Sequence, residues 1–226
     1  SSMNNLNHIA FIMDGNGRWG LKKKKNRNYG HLEGVKTVKK IVEASVFFKI
    51  PVISFYVFSS ENWKRPKEEI NYLFNLIKMY FKKEISNIIK NKVQVNIIGR
   101  TRTLPVNLKK ILTSVVKKTK KNKKIIVNLA INYGSKNEII DSIKKLNTNS
   151  KKITEKNIND NLYLNHSFPD ILVRTGGQKR LSNFMLWQLA YAEIFFLDKL
   201  WPDFSKNDLN KIVNKFHKIK RNFGGI

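Results

Sequence analysis

The chain has 226 residues, 41% of them hydrophobic, with 44 Lys and Arg against 16 Asp and Glu, a formal net charge of +28. That apolar share supports a full core in one α/β domain, and the absence of cysteine excludes disulfides and thiolate-held zinc and favours a reducing compartment. The charge points to a polyanionic partner. The lysine runs at 22–25, 117–124 and 151–152 fall between periodic segments, where solvated surface tolerates them, so phosphate binding with surface drift is favoured and no nucleic-acid partner is expected.

Ser1 and Ser2 ahead of Met3 read as a vector remnant. No basic region followed by an apolar core opens the chain, and no apolar run approaches the roughly 20 residues that span a bilayer. The expected location is the cytoplasm or the periphery of a membrane, with a missing organelle-targeting segment left open.

In chain order, apolar β-rich runs at 8–12, 52–58, 93–98, 125–131, 171–173 and 194–196 predict strands. They are mostly continuous rather than alternating, as in strands buried on both faces. Between them, 3.6-residue periodicity predicts helices at 31–48, 67–90, 107–119, 136–147, 154–164 and 183–191, with a last one over 206–221. Ser205 and Asp208 are spaced as its capping box. Strands alternating with helices imply βαβ units. The expected fold is a single α/β domain over 1–226, with a mainly parallel six-stranded sheet flanked by helices. The 67–90 helix carries a stripe of Ile70, Leu73, Phe74, Ile77, Phe81 and Ile85, and then Tyr72, Leu76, Met79 and Tyr80 on its other sides. Such a helix is either buried between layers or lines an apolar cavity.

Ligands of a parallel α/β sheet bind beyond the carboxyl ends of its strands. The first strand empties there into Asp14-Gly15-Asn16-Gly17-Arg18-Trp19. Glycines let backbone N–H groups approach a ligand, Arg18 can hold phosphate oxygens in bidentate fashion, and one carboxylate beside phosphates is how Mg²⁺ is commonly held. The second strand ends in Ser59-Ser60-Glu61-Asn62-Trp63 followed by Arg65, and the fifth in Arg174-Thr175-Gly176-Gly177 followed by Arg180 and Ser182. Each cluster alone reads equally as a turn; three on one sheet edge read as a site. Lys22–Lys25 read as a phosphate-steering lid or a solvated loop. His166, Tyr133 and Asn132 read as structural, and Trp201-Pro202 as a packed turn.

The motifs "HIAFIMDGNGRW", "FSSENWKRP", "NYG", "RTGG…R.SNF..WQ.AYAE..F" and "LWPDF" resemble those of the cis-prenyltransferases, in particular the bacterial medium-chain undecaprenyl diphosphate synthases, over nearly the whole chain. The resemblance implies an enzyme that condenses isopentenyl diphosphate stepwise onto a farnesyl-type allylic diphosphate, with Mg²⁺ as cofactor, in a homodimer that touches membrane peripherally. It implies that Asp14 binds the metal with Glu193, and that Asp14 and Asn62 are catalytic. Gly15, Asn16, Gly17, Arg18, Trp19, Arg27 and His31 would hold the allylic substrate, with Ser59, Ser60, Glu61, Trp63 and Arg65 as the second contact motif. Arg174, Arg180 and Ser182 would hold isopentenyl diphosphate. Because an amide is a poor base, Asn62 reads as positioning a proton transfer to a diphosphate oxygen. A growing polyprenyl chain needs an apolar tunnel, which gives the 67–90 helix its reason.

Two positions depart from the family pattern. Asn222 stands where the second arginine of a C-terminal Arg-Arg-Phe-Gly-Gly would fall, leaving Arg221 to substitute, and Arg100 follows "IIG" where an acid is expected. The alternative reading is a non-catalytic or co-catalytic partner subunit of such a complex. The strand map also puts Glu193 before the sixth strand, at the edge away from the three clusters. The basic last helix, with Ile212, Val213, Phe216 and Ile219 on one face, either meets membrane or packs on the sheet.

Overall fold

The computed structural model describes residues 3–226; the vector-remnant reading of Ser1 and Ser2 falls outside the described residues. Six strands, β1 (His8–Ile12), β2 (Val52–Ser59), β3 (Val93–Ile98), β4 (Ile125–Tyr133), β5 (Ile171–Arg174) and β6 (Glu193–Phe196), form one sheet in the order β3-β4-β2-β1-β5-β6, with every pairing parallel. The helices are α1 (Asn16–Lys24), α2 (Arg27–Phe47), α3 (Lys67–Lys90), α4 (Val106–Thr119), α5 (Ser135–Thr148), α6 (Glu155–Asn161) and α7 (Lys206–Lys218). Strand residues alternate between two cores. Ile9, Phe11, Ile53, Phe55, Val127 and Val173 pack under α2, α3, α4 and α7, while Ala10, Ile12, Ala130 and Leu172 face Leu164, Phe184, Met185 and Leu189 on the other side.

Two expectations are corrected. No helix is predicted between the first strand and residue 31, yet Asn16–Lys24 forms α1, so Lys22–Lys24, expected as a lid or a solvated loop, occupy its last turn, where cations favour the helix dipole. Gly17 and Gly20 weaken its helical pattern; packing against α2 decides it. The predicted helix over 183–191 is a run of turns. Ser182, Asn183 and Met185 sit at φ 48, 62 and 44, the left-handed region that an α-helix does not use. Phe184, Met185 and Leu189 are nonetheless buried, so the apolar pattern was real and its helical period was not. α7 packs inward through Leu209, Ile212 and Phe216 and ends early, its last carbonyls taken by the Asn4 amide, which donates to Phe216 and Ile219 at 2.7 Å each. That face meets the sheet layer, not a membrane. Arg100, out of pattern in sequence, makes a bidentate pair with Asp141 at 2.8 and 2.9 Å.

Candidate active site

β1 lies at the centre of the sheet, with β2 on one side and β5 on the other. Its carboxyl end therefore collects three chain segments, the arrangement that creates a ligand crevice in open α/β sheets. Gly15, at φ +113, turns the chain from β1 into α1, and the free N–H groups of that helix start point at the crevice, a natural place for an anion. A cavity of about 310 Å³ opens there, lined among others by Asp14, Gly15, Asn16, Gly17, Arg18, Arg27 and His31. Ser59, Asn62, Arg65, Arg174, Arg180 and Ser182 complete the polar wall. Five arginines and a single carboxylate thus face one space.

Asp14 ties the cations together. Its Oδ1 accepts from Arg18 at 3.3 Å and its Oδ2 from Arg174 at 3.1 Å. The Arg18 guanidinium also donates to the Gly176 carbonyl at 2.9 Å. Arg174, with only 5% of its side chain exposed, also donates to the Arg180 carbonyl at 2.5 Å and the Ser182 hydroxyl at 2.8 Å. Its buried Nε has no hydrogen-bond partner among the described residues. A buried donor without a partner is costly, and a diphosphate oxygen would supply the missing acceptor.

On the other wall, Glu69 of α3 gathers Arg27 at 3.1 Å, His31 at 2.8 Å and Arg65 at 3.7 Å. Burial pushes the Glu69 carboxyl up, but hydrogen bonds from His31 and Arg27 and the nearby charges outweigh it and hold it below the usual carboxylate range. Burial also lowers the His31 and Arg65 values. His31 is therefore neutral near pH 7 and donates to Glu69. The sequence reading missed Glu69. Its only signal was an acid in the first turn of a helix, which serves the helix dipole equally well.

Four predicted contacts do not line the cavity. Trp19 donates its indole N–H to Asp203 at 2.9 Å and stacks on Tyr29. Trp63 donates to Asn132 at 2.9 Å and packs against Phe58 and Phe74. Glu61 accepts from the Asn183 amide at 3.0 Å. Ser60 lies beneath Gly134, whose added Cβ would sit 2.5 Å from the hydroxyl. Asn62 does line the cavity, but its Oδ1 accepts the Ser59 backbone N–H at 2.9 Å. Within the chain Glu193 is not brought to Asp14. It starts β6, in register with Ile171, whereas Arg174 at the site pairs with Phe196. Three residues at about 3.3 Å each separate the two levels, and Glu193 faces Arg221 at 3.6 Å. Arg221 itself donates to the Asp170 and Tyr191 carbonyls.

A second cavity of about 140 Å³ continues from the first. Met13, Asn16, His31, Val57 and Leu73 belong to both walls. Beyond them the lining is almost wholly apolar, with α2 and α3 on one side and the sheet on the other, down to Ile88, Val93 and Val127. Val93 pairs with Ile125 and Phe58 with Ile131, so the cavity runs along about six residues of strand, roughly 20 Å. An apolar cavity lies where the tunnel was expected, and from the other sides of α3 Leu76 and Tyr80 line it, whereas Tyr72 does not and Met79 is exposed.

The family model described as "Putative undecaprenyl diphosphate synthase" matches residues 12–224. The chain belongs to this family of prenyltransferases. It is 44% identical over 230 residues to a farnesyl-diphosphate-specific ditrans,polycis-undecaprenyl-diphosphate synthase of Buchnera aphidicola, covering 98% of this chain and 92% of that one. Among solved structures it is similar to a "probable undecaprenyl diphosphate synthase" of Campylobacter jejuni, with a TM-score of 0.86, 37% identity and coverage of 98% and 100%. It also matches the lavandulyl diphosphate synthase of Lavandula x intermedia in complex with dimethylallyl diphosphate, with a TM-score of 0.92, 28% identity and coverage of 96% and 98%. The chain is thus a cis-prenyltransferase that elongates an allylic diphosphate with isopentenyl diphosphate. Among the described residues no helix is long and apolar enough to cross a membrane.

Proposed function

We propose that the chain uses a farnesyl-type primer and makes a medium-chain polyprenyl diphosphate, with the residue roles set out below. The observation that carries this reading is the continuity of an arginine-lined polar cavity with an apolar one about 20 Å deep. A diphosphate head fits the first and a growing hydrocarbon tail the second.

The allylic diphosphate sits at the start of α1, with Arg18, Arg27 and Arg65 on its oxygens and His31 and Asn16 at the entrance to the apolar space. Isopentenyl diphosphate sits against Arg174, Arg180 and Ser182. The allylic C–O bond breaks and its electron pair leaves with the diphosphate, whose charge the arginines stabilise. The isopentenyl double bond forms the new C–C bond. A C–H bond then breaks, its electrons restore a double bond, and the proton passes to a diphosphate oxygen. Asn62 orients the reacting ends, since its Oδ1 is already engaged by the Ser59 N–H and an amide is a poor base. The chain then advances into the tunnel.

The donor set suits Mg²⁺ carried with substrate. No group of three or more His, Asp or Glu side chains gathers among the described residues, and Asp14 is the one carboxylate on the polar wall. One carboxylate plus substrate oxygens and water is an ordinary Mg²⁺ environment. Asp14 would hold it, and when bound the ion neutralises the leaving diphosphate.

Homodimerisation is supported by the edge strand β6, where Ile194 and Phe196 are exposed next to exposed Leu186 and Tyr191. Glu193 and Arg221 lie at that same edge, and peripheral contact with membrane fits a water-insoluble product. The deciding experiment incubates the protein with farnesyl diphosphate, labelled isopentenyl diphosphate and Mg²⁺, with Asp14→Ala as control. A cis-polyprenyl product lost in the variant supports the assignment. A folded protein that makes none turns the reading toward a partner subunit.

A further inference from the structure

We propose that Asn183 is a positioning residue for the isopentenyl diphosphate subsite, latching the loop that carries Arg180 and Ser182 to both the start of α5 and the Ser59–Asn62 turn. The inference rests on the assignment of that subsite to Arg174, Arg180 and Ser182.

α5 begins without a cap of its own. Its N-cap position is Gly134, and no side chain there accepts a hydrogen bond. Four N–H groups at a helix start have no partner within the helix. Asn183 takes two of them from 48 residues away. Its carbonyl accepts the Ser135 N–H at 2.8 Å and its Oδ1 accepts the Lys136 N–H at 3.0 Å. Its Nδ2 donates to Glu61 at 3.0 Å. One side chain and its own carbonyl therefore join β4's exit, the turn after β2 and the loop after β5.

This anchoring acts on a loop that local preferences do not hold. Ser182, Asn183 and Met185 are all left-handed, each a conformation that costs free energy for a residue other than glycine and is mildest for asparagine. Asn183 is thus suited twice over, by its backbone tolerance and by an amide that donates and accepts at once. Ser135 adds a further tie, its hydroxyl accepting the Leu186 N–H at 2.9 Å. Gly134 leaves room for the junction, since a Cβ there would meet the Ser60 hydroxyl at 2.5 Å and the Asn183 amide at 2.9 Å. Glu61, which faces away from the polar cavity, gains a role in this scheme. It accepts the latch instead of touching substrate.

The test is a swap of donor and acceptor. Asn183→Asp keeps the tolerance for a left-handed backbone and the bond to Lys136, but sets two carboxylates against each other. Adding Glu61→Gln restores a donor facing an acceptor. The KM for isopentenyl diphosphate is expected to rise about tenfold in Asn183→Asp, the value of one charge-assisted hydrogen bond, with kcat and the primer KM within about threefold of wild type. In Asn183→Asp/Glu61→Gln it falls back to about the Glu61→Gln value. Asn183→Gly, which keeps the backbone conformation and loses both side-chain bonds, shows a comparable rise that Glu61→Gln does not correct. Calorimetric titration with inorganic diphosphate follows the same variants without turnover. A wild type that makes no polyprenyl product, while diphosphate affinity still drops in the single variant and returns in the double, sinks the chain-elongating role and keeps the latch. Unchanged KM and diphosphate affinity in Asn183→Asp, or a double variant no better than the single, overturns the latch.

Discussion

Replacing Arg174 by lysine keeps the charge and removes the fork. Arg174 is almost fully enclosed and bonds three partners on two sides, Asp14 at 3.1 Å and the Arg180 carbonyl and Ser182 hydroxyl at 2.5 and 2.8 Å. A single ammonium cannot reach the carboxylate and the loop together, so at least two charge-assisted bonds of about 1.5 kcal/mol each are lost, about 3 kcal/mol in total. The buried Nε, without a partner among the described residues, is lost as well. At 1.36 kcal/mol per decade, the part of this loss felt only with substrate bound lowers kcat/KM for isopentenyl diphosphate, by up to roughly a hundredfold. The part of the loss already felt before substrate binds shows as a lower melting temperature. Initial rates at varied isopentenyl diphosphate and saturating primer, with thermal melts on the same samples, separate the two. A variant within threefold of wild type in kcat/KM, and equally stable, would refute the claim that the bidentate geometry matters rather than the charge.

Four further outcomes follow from the geometry. Val127→Phe, at the far end of the apolar cavity, is expected to shorten the extracted polyprenyl product while costing about 1–3 kcal/mol of stability through overpacking; mass spectrometry showing full-length product would remove the tunnel from the chain-length argument. Because Asp14 is the one carboxylate on the polar wall, Mg²⁺ alone is expected to give little heat in calorimetry but a clear isotherm once inorganic diphosphate is present, and tight metal binding without diphosphate would contradict that picture. Ile194→Asp on the β6 edge is expected to yield a monomer in sedimentation velocity, and a persistent dimer would place the interface elsewhere. His8 is enclosed, with Nε2 at 2.7 Å from the Ser54 hydroxyl and Nδ1 at 3.2 Å from Ser167, and burial, helped by the charge of His166, lowers its pKa to about 3. The folded value lies below the unfolded one, so this stability is present above about pH 6.5 and is lost as pH falls, by about 2 kcal/mol between pH 8 and pH 5. For a chain of this length that is about 4 °C in melting temperature, and His8→Gln should flatten it; an equal drop in the variant would point to other groups.

The inner strands were legible because they bury both faces, so that 8–12, 52–58 and 125–131 read as apolar runs whatever they pair with. The three clusters at their carboxyl ends were legible because glycines, arginines and hydroxyls have no other reason to recur at strand exits. α1 was not legible, since Gly17 and Gly20 weaken its local pattern and only its packing on α2 makes it a helix. The apolar residues of 183–191 suggested a helix because sequence shows burial and not backbone sign; three left-handed residues rule it out.

The sequence by itself determined the element types, the arginine-rich chemistry and the need for an apolar wall, all of which depend on residue type and spacing. The tertiary structure alone decided which side chains share a space. It showed that Glu69 gathers Arg27, His31 and Arg65, that Trp19, Trp63, Ser60 and Glu61 lie outside the polar cavity, and that Glu193 faces Arg221. The reason is geometric. A parallel strand fixes which end of itself meets a crevice, but its neighbours in the sheet come from far along the chain, from Ile171 beside Glu193 to Ile9 beside Ile171, and no local pattern records that pairing.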